Sequence, residues 1–307
     1  MENRRGIALM VLAMAMFAIE DTLIKLASAD LPSGQVMMVL GLWGGLVFWG
    51  LARRAGVRVL DAGARHPAVV TRTFAEAVGT AAFVTALGLI PLSSASAILQ
   101  SSPLLVTLGA VLVLGERVGP VRWAALAAGF LGVLMVVRPG AEVFTSGALL
   151  ALLGASGLAV RDLASRRVPA RIGTLQLSAL AFSATVPVSM ALMAEQGGPA
   201  VPGGGALLAL AGACAISCIA YAAITIATRT GDISAVMPFR YSRLVFGTAL
   251  GALVFGEQPD GPTLAGAALI LVAGVVVLLR ERRMRGPAAG PIAPTTPINP
   301  VPKETAP

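Results

Sequence analysis

Residues 6–25, GIALMVLAMAMFAIEDTLIK, and residues 147–166, GALLALLGASGLAVRDLASR, decide how this chain is organised. Each run is about the 20 mostly apolar residues that a helix needs to cross a bilayer. Each begins with glycine and ends on an acid–base pair four positions apart, Asp21 with Lys25 and Asp162 with Arg166. The runs lie 141 positions apart, and the same offset relates Ser93 to Ser234, Ser101 to Ser242 and Gly115-Glu116 to Gly256-Glu257. After one inserted residue the offset of 142 relates Gly119-Pro120 to Gly261-Pro262, Gly132 to Gly274 and Arg138 to Arg280. A single match of this kind is weak; an ordered series along the whole chain marks a duplication.

Outward from these two runs, eight more apolar stretches follow the same rule. The ten expected spans are 6–28, 35–52, 69–90, 93–115, 119–138, 146–166, 173–193, 205–228, 233–256 and 260–280. They leave only short connections and no room for a sizeable soluble domain. Composition agrees: 56% of the 307 residues are hydrophobic and 12% are charged, about half the charged share of a soluble domain. A soluble enzyme, a disordered chain and a nucleic-acid binder are thereby set aside, despite a net charge of +8. Two cysteines and one histidine supply neither a disulfide framework nor a zinc cluster, and no phosphate-cradling loop is present. The tail from Gly286 to Pro307 holds seven prolines in 22 residues and is expected to be a disordered cytoplasmic extension.

The basic residues predict the orientation. Even-numbered connections carry Arg53, Arg54, Arg58, Arg65, Arg72, Arg117, Arg122, Arg161, Arg166, Arg167, Arg171 and Arg229, whereas the odd ones carry Arg138 with Asp30, Glu142, Glu195, Glu257 and Asp260. The positive-inside rule then places even loops and both termini in the cytoplasm. Arg4-Arg5 ahead of the first span and Ala27-Ser28-Ala29 at its end imitate a signal peptide. Glu20, Asp21 and Lys25 are wrong for the end of such a segment, and the repeat needs this span.

Five spans per half is an odd number, so the second copy enters the membrane from the opposite side. The expected fold is an all-α polytopic membrane protein, ten transmembrane helices as two inverted five-helix repeats (1–140 and 141–285) followed by the tail 286–307. Inverted repeats are a signature of secondary transporters, whose halves rock around a site near the midplane. The five-plus-five arrangement, Leu114-Gly115-Glu116 and Phe255-Gly256-Glu257 after spans four and nine, and the Gly-Pro restarts resemble the drug/metabolite transporter superfamily, EamA-type branch, over residues 6–282. That resemblance implies a ten-helix inner-membrane carrier of small metabolites. Residues 17–25 (FAIEDTLIK) and 238–244 (PFRYSRL) resemble a bacterial subgroup that includes amino-acid and metabolite exporters as well as riboflavin importers.

A charge at the centre of a membrane helix costs about 2.5–3.5 kcal/mol on the insertion scale, so the buried charges are the candidates for function. Asp21 with Lys25, and Asp162 with Arg166, are read as gates or as intrahelical ion pairs. Arg240 and Arg243 sit about 10 Å or more into span nine at 1.5 Å per residue, at a depth like that of Glu76 in span three, which is the expected internal partner. A guanidinium also suits a carboxylate or phosphate ligand. Gln100, Tyr221 and Tyr241 complete the candidate substrate site. The stripes Ser96-Gln100-Pro103-Thr107, Ser217-Tyr221-Thr225-Thr228 and Arg72-Glu76-Thr80 are expected either to border a wet cavity or to join helices by hydrogen bonds. Gly41/Gly45 and Gly247/Gly251 permit close helix approach, within a monomer or between two copies of a homodimer.

The reading is therefore a non-enzymatic secondary transporter without cofactor or metal. Its partners are a small metabolite, the lipid bilayer and protons as candidate coupling ion, carried by Glu20, Asp21 or Glu76. Export of an amino acid or related anionic or zwitterionic compound comes first. Uptake of riboflavin or another vitamin-like compound comes second, with Tyr221, Tyr241 and Phe239 available to stack.

Overall fold

The computed structural model describes residues 2–115, 119–139, 145–227 and 236–284. The expectations for Glu116, Arg117, Glu142, Thr228, Arg229, Ser234 and the tail 286–307 fall outside them. Among the described residues every regular element is a helix. Spans one to three are α1 (Glu2–Ala27), α2 (Ser33–Arg54) and α3 (Pro67–Leu89). Span four is divided into α4 (Leu92–Leu99) and α5 (Ser102–Leu114). Spans five to eight are α6 (Pro120–Val137), α7 (Ser146–Ser165), α8 (Thr174–Glu195) and α9 (Gly204–Ala227). Span nine joins a 3₁₀ turn (Met237–Tyr241) to α10 (Ser242–Phe255), and span ten is α11 (Gly261–Met284).

Eight segments are long and apolar enough to cross a membrane by length and composition. The other two are α3, whose run is diluted by Arg72 and Glu76, and span nine, whose α-helical part is only 14 residues. Local chemistry sets the ends. His66 Nδ1 accepts the Ala68 N–H at the start of α3, with Pro67 in the first turn. Gly115 (φ 67°) and Gly256 (φ 64°), repeat mates, close α5 and α10 in the left-handed conformation that glycine adopts without strain.

The division of span four was not expected. Pro103 has no N–H for the Leu99 carbonyl, and its ring crowds the preceding turn. The chain tightens there: Ser101 N–H reaches the Ile98 carbonyl (3.0 Å) and Ser101 Oγ donates to the same oxygen (2.6 Å). At the equivalent point of span nine, Ser242 Oγ donates to the Phe239 carbonyl (2.7 Å). The serines and their acceptors are all repeat mates, so the two spans tighten at equivalent positions, although only span four carries a proline just beyond it, Leu244 standing where the repeat would place the mate of Pro103.

Packing pairs elements across the halves. The principal partners are α3 with α7, α1 with α9, α2 with α8, α6 with α11, and α4 with α10. Exchanging the repeats turns the first two pairs into each other and returns α2 with α8 and α6 with α11 to themselves, as a two-fold axis between inverted copies requires. Glycines permit the close crossings: a Cβ on Gly157 would lie 2.6 Å from Gly79 Cα, and one on Gly132 would lie 2.6 Å from the Gly266 carbonyl. Gly247 backs onto Ser96, and Gly41 onto Thr185, so both GxxxG patterns place a glycine at an intramolecular crossing. The apolar core runs along these contacts, with Met37, Leu87, Leu92, Ile98, Leu104 and Ile270 fully enclosed.

Candidate functional site

Eight charges, four carboxyls and four guanidiniums, gather between spans one, three, six and nine. From α1, Asp21 is 3% exposed. It accepts from Arg243 of α10 at three distances: Nη2 to Oδ2 2.7 Å, Nη2 to Oδ1 2.8 Å and Nε to Oδ2 3.1 Å. The Arg243 guanidinium also lies over the rings of Phe17 (5.1 Å) and Phe83 (5.9 Å). The planar fork is thus held by a carboxylate at Nε and Nη2 and by two aromatic rings against its face.

The second group lies between α3 and α7. Arg72 Nη1 is 3.1 Å from Glu76 Oε2 across one helical turn, and Arg161 Nη1 donates to Glu76 Oε1 (3.2 Å). Arg161 Nε donates to Asp162 Oδ1 (2.9 Å), while Arg72 Nε donates to Ser165 Oγ (3.1 Å). Tyr221 of α9 packs edge-on to Phe48 (ring centroids 5.2 Å apart), and Phe48 stacks on Phe182 (5.3 Å). The side chains of Glu20 and Arg240, alone among the eight, make no hydrogen bond or ion pair with any described residue. Both are half-buried. Arg240 has Asp162, Arg161 and Arg243 as its charged surroundings, and Glu20 has Asp21 and Arg243.

The pairings expected from spacing and depth are corrected here. Glu76 pairs with Arg72 and Arg161, not with Arg240 or Arg243, because α3 crosses α7 through its glycines and lies next to span six. Asp21 pairs with Arg243, not with Lys25, because α1 bundles against α10. Asp162 takes the adjacent Arg161 rather than depending on Arg166. Arg72 and Arg161, counted among loop charges, stand inside helices and hold this network; the loop bias survives without them. Tyr241 is 2% exposed, with its hydroxyl against Gly274 of α11 and no hydrogen-bond partner. It faces the span-ten layer rather than the charges. Gln100 Nε2 donates to the Arg240 carbonyl (3.1 Å), joining the break in span four to the 3₁₀ turn of span nine. Ser96 fills the Gly247 crossing, and Thr107 and Ser217 bond backwards to their own helices.

Lys25 does different work. Its Nζ donates to the carbonyls of Leu87 (3.0 Å), in the last turn of α3, and of Ile90, just past its end, and lies over the Phe255 ring at 5.3 Å. Two residues further on, Glu257 accepts from the N–H of Leu92, the N–H of Ser93 (2.9 Å) and Ser93 Oγ (2.8 Å), the first groups of α4. A cation on orphan carbonyls and an anion on orphan N–H groups fit the two helix dipoles that meet at this corner. The corner thus ties α1 and the end of α10 to the α3–α4 turn. Only the Gly-Glu motif hinted at it. Beside it a cavity of about 300 Å³ is lined by Ser93, Arg138, Thr145, Glu257, Asp260 and Thr263, and shares no residue with the ion network.

The EamA-like transporter family matches this chain twice, over residues 4–138 and 145–280. A riboflavin transporter of Rhizobium johnstonii is 36% identical over 225 residues, covering 71% of this chain and 72% of that protein. A pseudopaline exporter of Pseudomonas aeruginosa is 30% identical over 276 residues, 89% of this chain and 96% of the exporter. An S-adenosylmethionine uptake transporter of Rickettsia felis is 27% identical over 67% of this chain and 69% of its own length. One crystal structure, 25% identical, superposes with a TM-score of 0.62 over 90% of this chain and 98% of its own. These relatives are transporters rather than enzymes, and their cargoes and directions differ.

Proposed function

The chain belongs to the EamA-like transporter family and is a multi-pass membrane transporter; on that premise we propose that it exports a small metabolite across a bacterial inner membrane. Both termini lie in the cytoplasm, from the loop charge bias. The cargo is an amino acid or a related anionic or zwitterionic compound, and the two repeats, taken as 1–140 and 141–285, alternate access around it. The observation that carries this reading is Arg240: a half-buried guanidinium whose side chain makes no hydrogen bond or ion pair with any described residue and has Asp162 only in its wider surroundings. A cation inside a bundle is unfavourable unless it is paired, and a carboxylate ligand supplies a direct partner. Arg243 is already occupied by Asp21, so cargo reaching Arg243 displaces a carboxylate rather than filling an open position. Tyr221 and Gln100 border the same region. Asp21, Asp162, Lys25 and Arg166 mark the ends at which the halves open.

Of the three acids open to proton coupling, Asp21 and Glu76 are held in ion pairs, which leaves Glu20. The second reading is uptake of riboflavin. It is favoured by the 36% identical relative of that name and by the Phe48–Phe182–Tyr221 ring cluster. Purified protein in sealed liposomes, assayed by counterflow against labelled amino acids and riboflavin, separates the two. Exchange of an amino acid that is lost in Arg240→Gln supports the first. Exchange of riboflavin alone establishes the second, and exchange of neither, in vesicles proven tight, removes the transport assignment to these cargoes.

A further inference from the structure

We propose that residues 256–260, which close α10 and lead into α11, form the latch that holds the two halves together at the outer end, and that this latch releases in every transport cycle. This rests on the transporter reading above and deepens it by naming the contacts that part when the outer face opens. The cavity of about 300 Å³ lies between the halves at this point. Its wall takes Ser93, Ile98 and Arg138 from the first half and Thr145, Glu257 and Asp260 from the second. The connections that meet there are odd-numbered ones, which the loop charges assign to the outer side.

Pro91 gives the latch something to hold. A helix would bond the Leu87 carbonyl to the N–H four positions on, but that position is Pro91, which has none. Lys25 takes this carbonyl and that of Ile90. Beyond the proline the first N–H groups of α4 are open, and Glu257 takes those of Leu92 and Ser93. The chain before Glu257 sets its aim. Gly256 closes α10 at φ 64°, the Glu257 N–H returns to the Gly251 carbonyl (3.1 Å), and the carboxylate lies back against Gly251, where a Cβ would collide with it. Three positions later Asp260 accepts from Arg138 Nη2, and the same nitrogen reaches Thr263 Oγ1 (3.2 Å). Arg138 closes α6 at φ 50°, the only left-handed residue besides glycine among those described. Both carboxylates of the stretch thus cross from the second half to the first.

A contact that breaks in every cycle must release its groups to water, because a charge stranded inside a bundle is costly. Asp21 and Glu76 are buried and lack that outlet. The Asp260 side chain is 51% exposed and that of Arg138 24%, and Glu257 is half-buried at the cavity wall. A solvated ion pair is weak, so parting it takes little energy, and water can replace Glu257 on the N–H groups of α4.

The test uses the full chain, carrying Cys214→Ala and Cys218→Ala, in right-side-out membrane vesicles. Ile98 is fully enclosed and lines the cavity, so Ile98→Cys reports opening through its rate of labelling by an impermeant methanethiosulfonate. Glu257→Ala should raise that rate about tenfold, the effect of losing charge-assisted hydrogen bonds. Arg138→Gln should raise it about threefold, the effect of losing an exposed ion pair. A mere helix cap predicts a rise in Glu257→Ala alone, since Arg138 makes no hydrogen bond with α4. In a second chain that keeps Ile98, Arg138→Cys and Asp260→Cys are joined by a short cleavable thiol crosslinker. Bridging should stop counterflow of labelled amino acids and riboflavin, and reduction should restore it. The proposal is overturned by unchanged labelling in both variants, by a rise in Glu257→Ala alone, or by a bridged protein that transports at its unbridged rate. If the unbridged protein exchanges none of these compounds, the labelling rates alone decide the latch, and what fails is the assignment of these cargoes.

Discussion

Removing either member of the Asp21–Arg243 pair strands a charge in a bundle that offers no alternative partner of equal quality. Asp21 is 3% exposed, the side chain of Arg243 is 16% exposed, and their closest approach is 2.7 Å. Breaking a buried pair by deleting one partner costs about 3–5 kcal/mol. The two single variants should not cost the same. In Asp21→Asn the guanidinium keeps Phe17 and Phe83 beneath it and has Glu20 nearby, which puts the loss near 3 kcal/mol, at the low end of that range. In Arg243→Gln the Asp21 carboxylate is left beside Glu20 with no cation, which puts the loss near 5 kcal/mol. The double variant removes both charges and should cost no more than Asp21→Asn, so that the coupling across the cycle reaches about 5 kcal/mol. The assay is denaturant unfolding of detergent-solubilised protein followed by tryptophan fluorescence. An additive double variant, with coupling under about 0.5 kcal/mol, would refute the reasoning, and so would Asp21→Asn being the more damaging single change. Arg243→Ala, measured in liposomes, should also abolish transport while the protein still inserts.

Glu257→Ala strips the acceptor from the first turn of α4 and should cost about 1–2 kcal/mol, the range of a lost helix cap, read as a lower thermal midpoint; an unchanged midpoint removes the clamp from the stability argument. Gly157→Ala forces a methyl to within 2.6 Å of Gly79 Cα and should cost about 1–3 kcal/mol as an overpacked crossing. Gly45→Ala meets nothing within 4 Å and should stay within about 1 kcal/mol of the parent, so equal effects from the two would refute the packing assignment. Arg138, with Thr263, holds the Asp260 carboxyl below its ordinary range. That stabilisation is present above the unfolded carboxyl value of about 4 and fades as pH falls through the lower folded value. The midpoint difference between wild type and Arg138→Gln should accordingly shrink below about pH 4; a constant difference sinks the linkage. Impermeant thiol labelling of Arg58→Cys from the cytoplasmic side only and of Val201→Cys, 95% exposed, from the outer side only checks the topology, and labelling from the same side would dismantle the inverted repeat.

Much of the architecture was legible because its causes are local. A span is a length of apolar chain, and a repeat is a fixed offset, so ten spans and the 141-residue register required no knowledge of contacts. The depth of Asp21, Glu76, Arg240 and Arg243 could be counted from helix ends for the same reason. The break in span four was less visible: Pro103 was on view, but whether the surrounding turn tightens depends on what receives the freed carbonyl.

The sequence by itself therefore determined the fold class, the two-fold plan and the depth of Asp21, Glu76, Arg240 and Arg243, while Arg72 and Arg161, read as loop charges, proved to belong to the buried network. Only the tertiary structure decided how those charges are paired. Spacing along one helix nominated Lys25 for Asp21 and Arg166 for Asp162, yet the Asp21 partner lies 222 positions away in α10, and Lys25 is drawn to the carbonyls at the end of α3. Matching of depth nominated span nine for Glu76, yet the glycine crossing of α3 with α7 delivers Arg161, and Arg72 lies one turn back. Charge pairing follows which helix faces abut, and that is set by close crossings at Gly79, Gly157, Gly132 and Gly266, where the absence of a side chain lets two backbones meet. The absence of a side chain leaves no pattern in hydropathy, so the residues that decided the site were the ones that a linear reading weighs least.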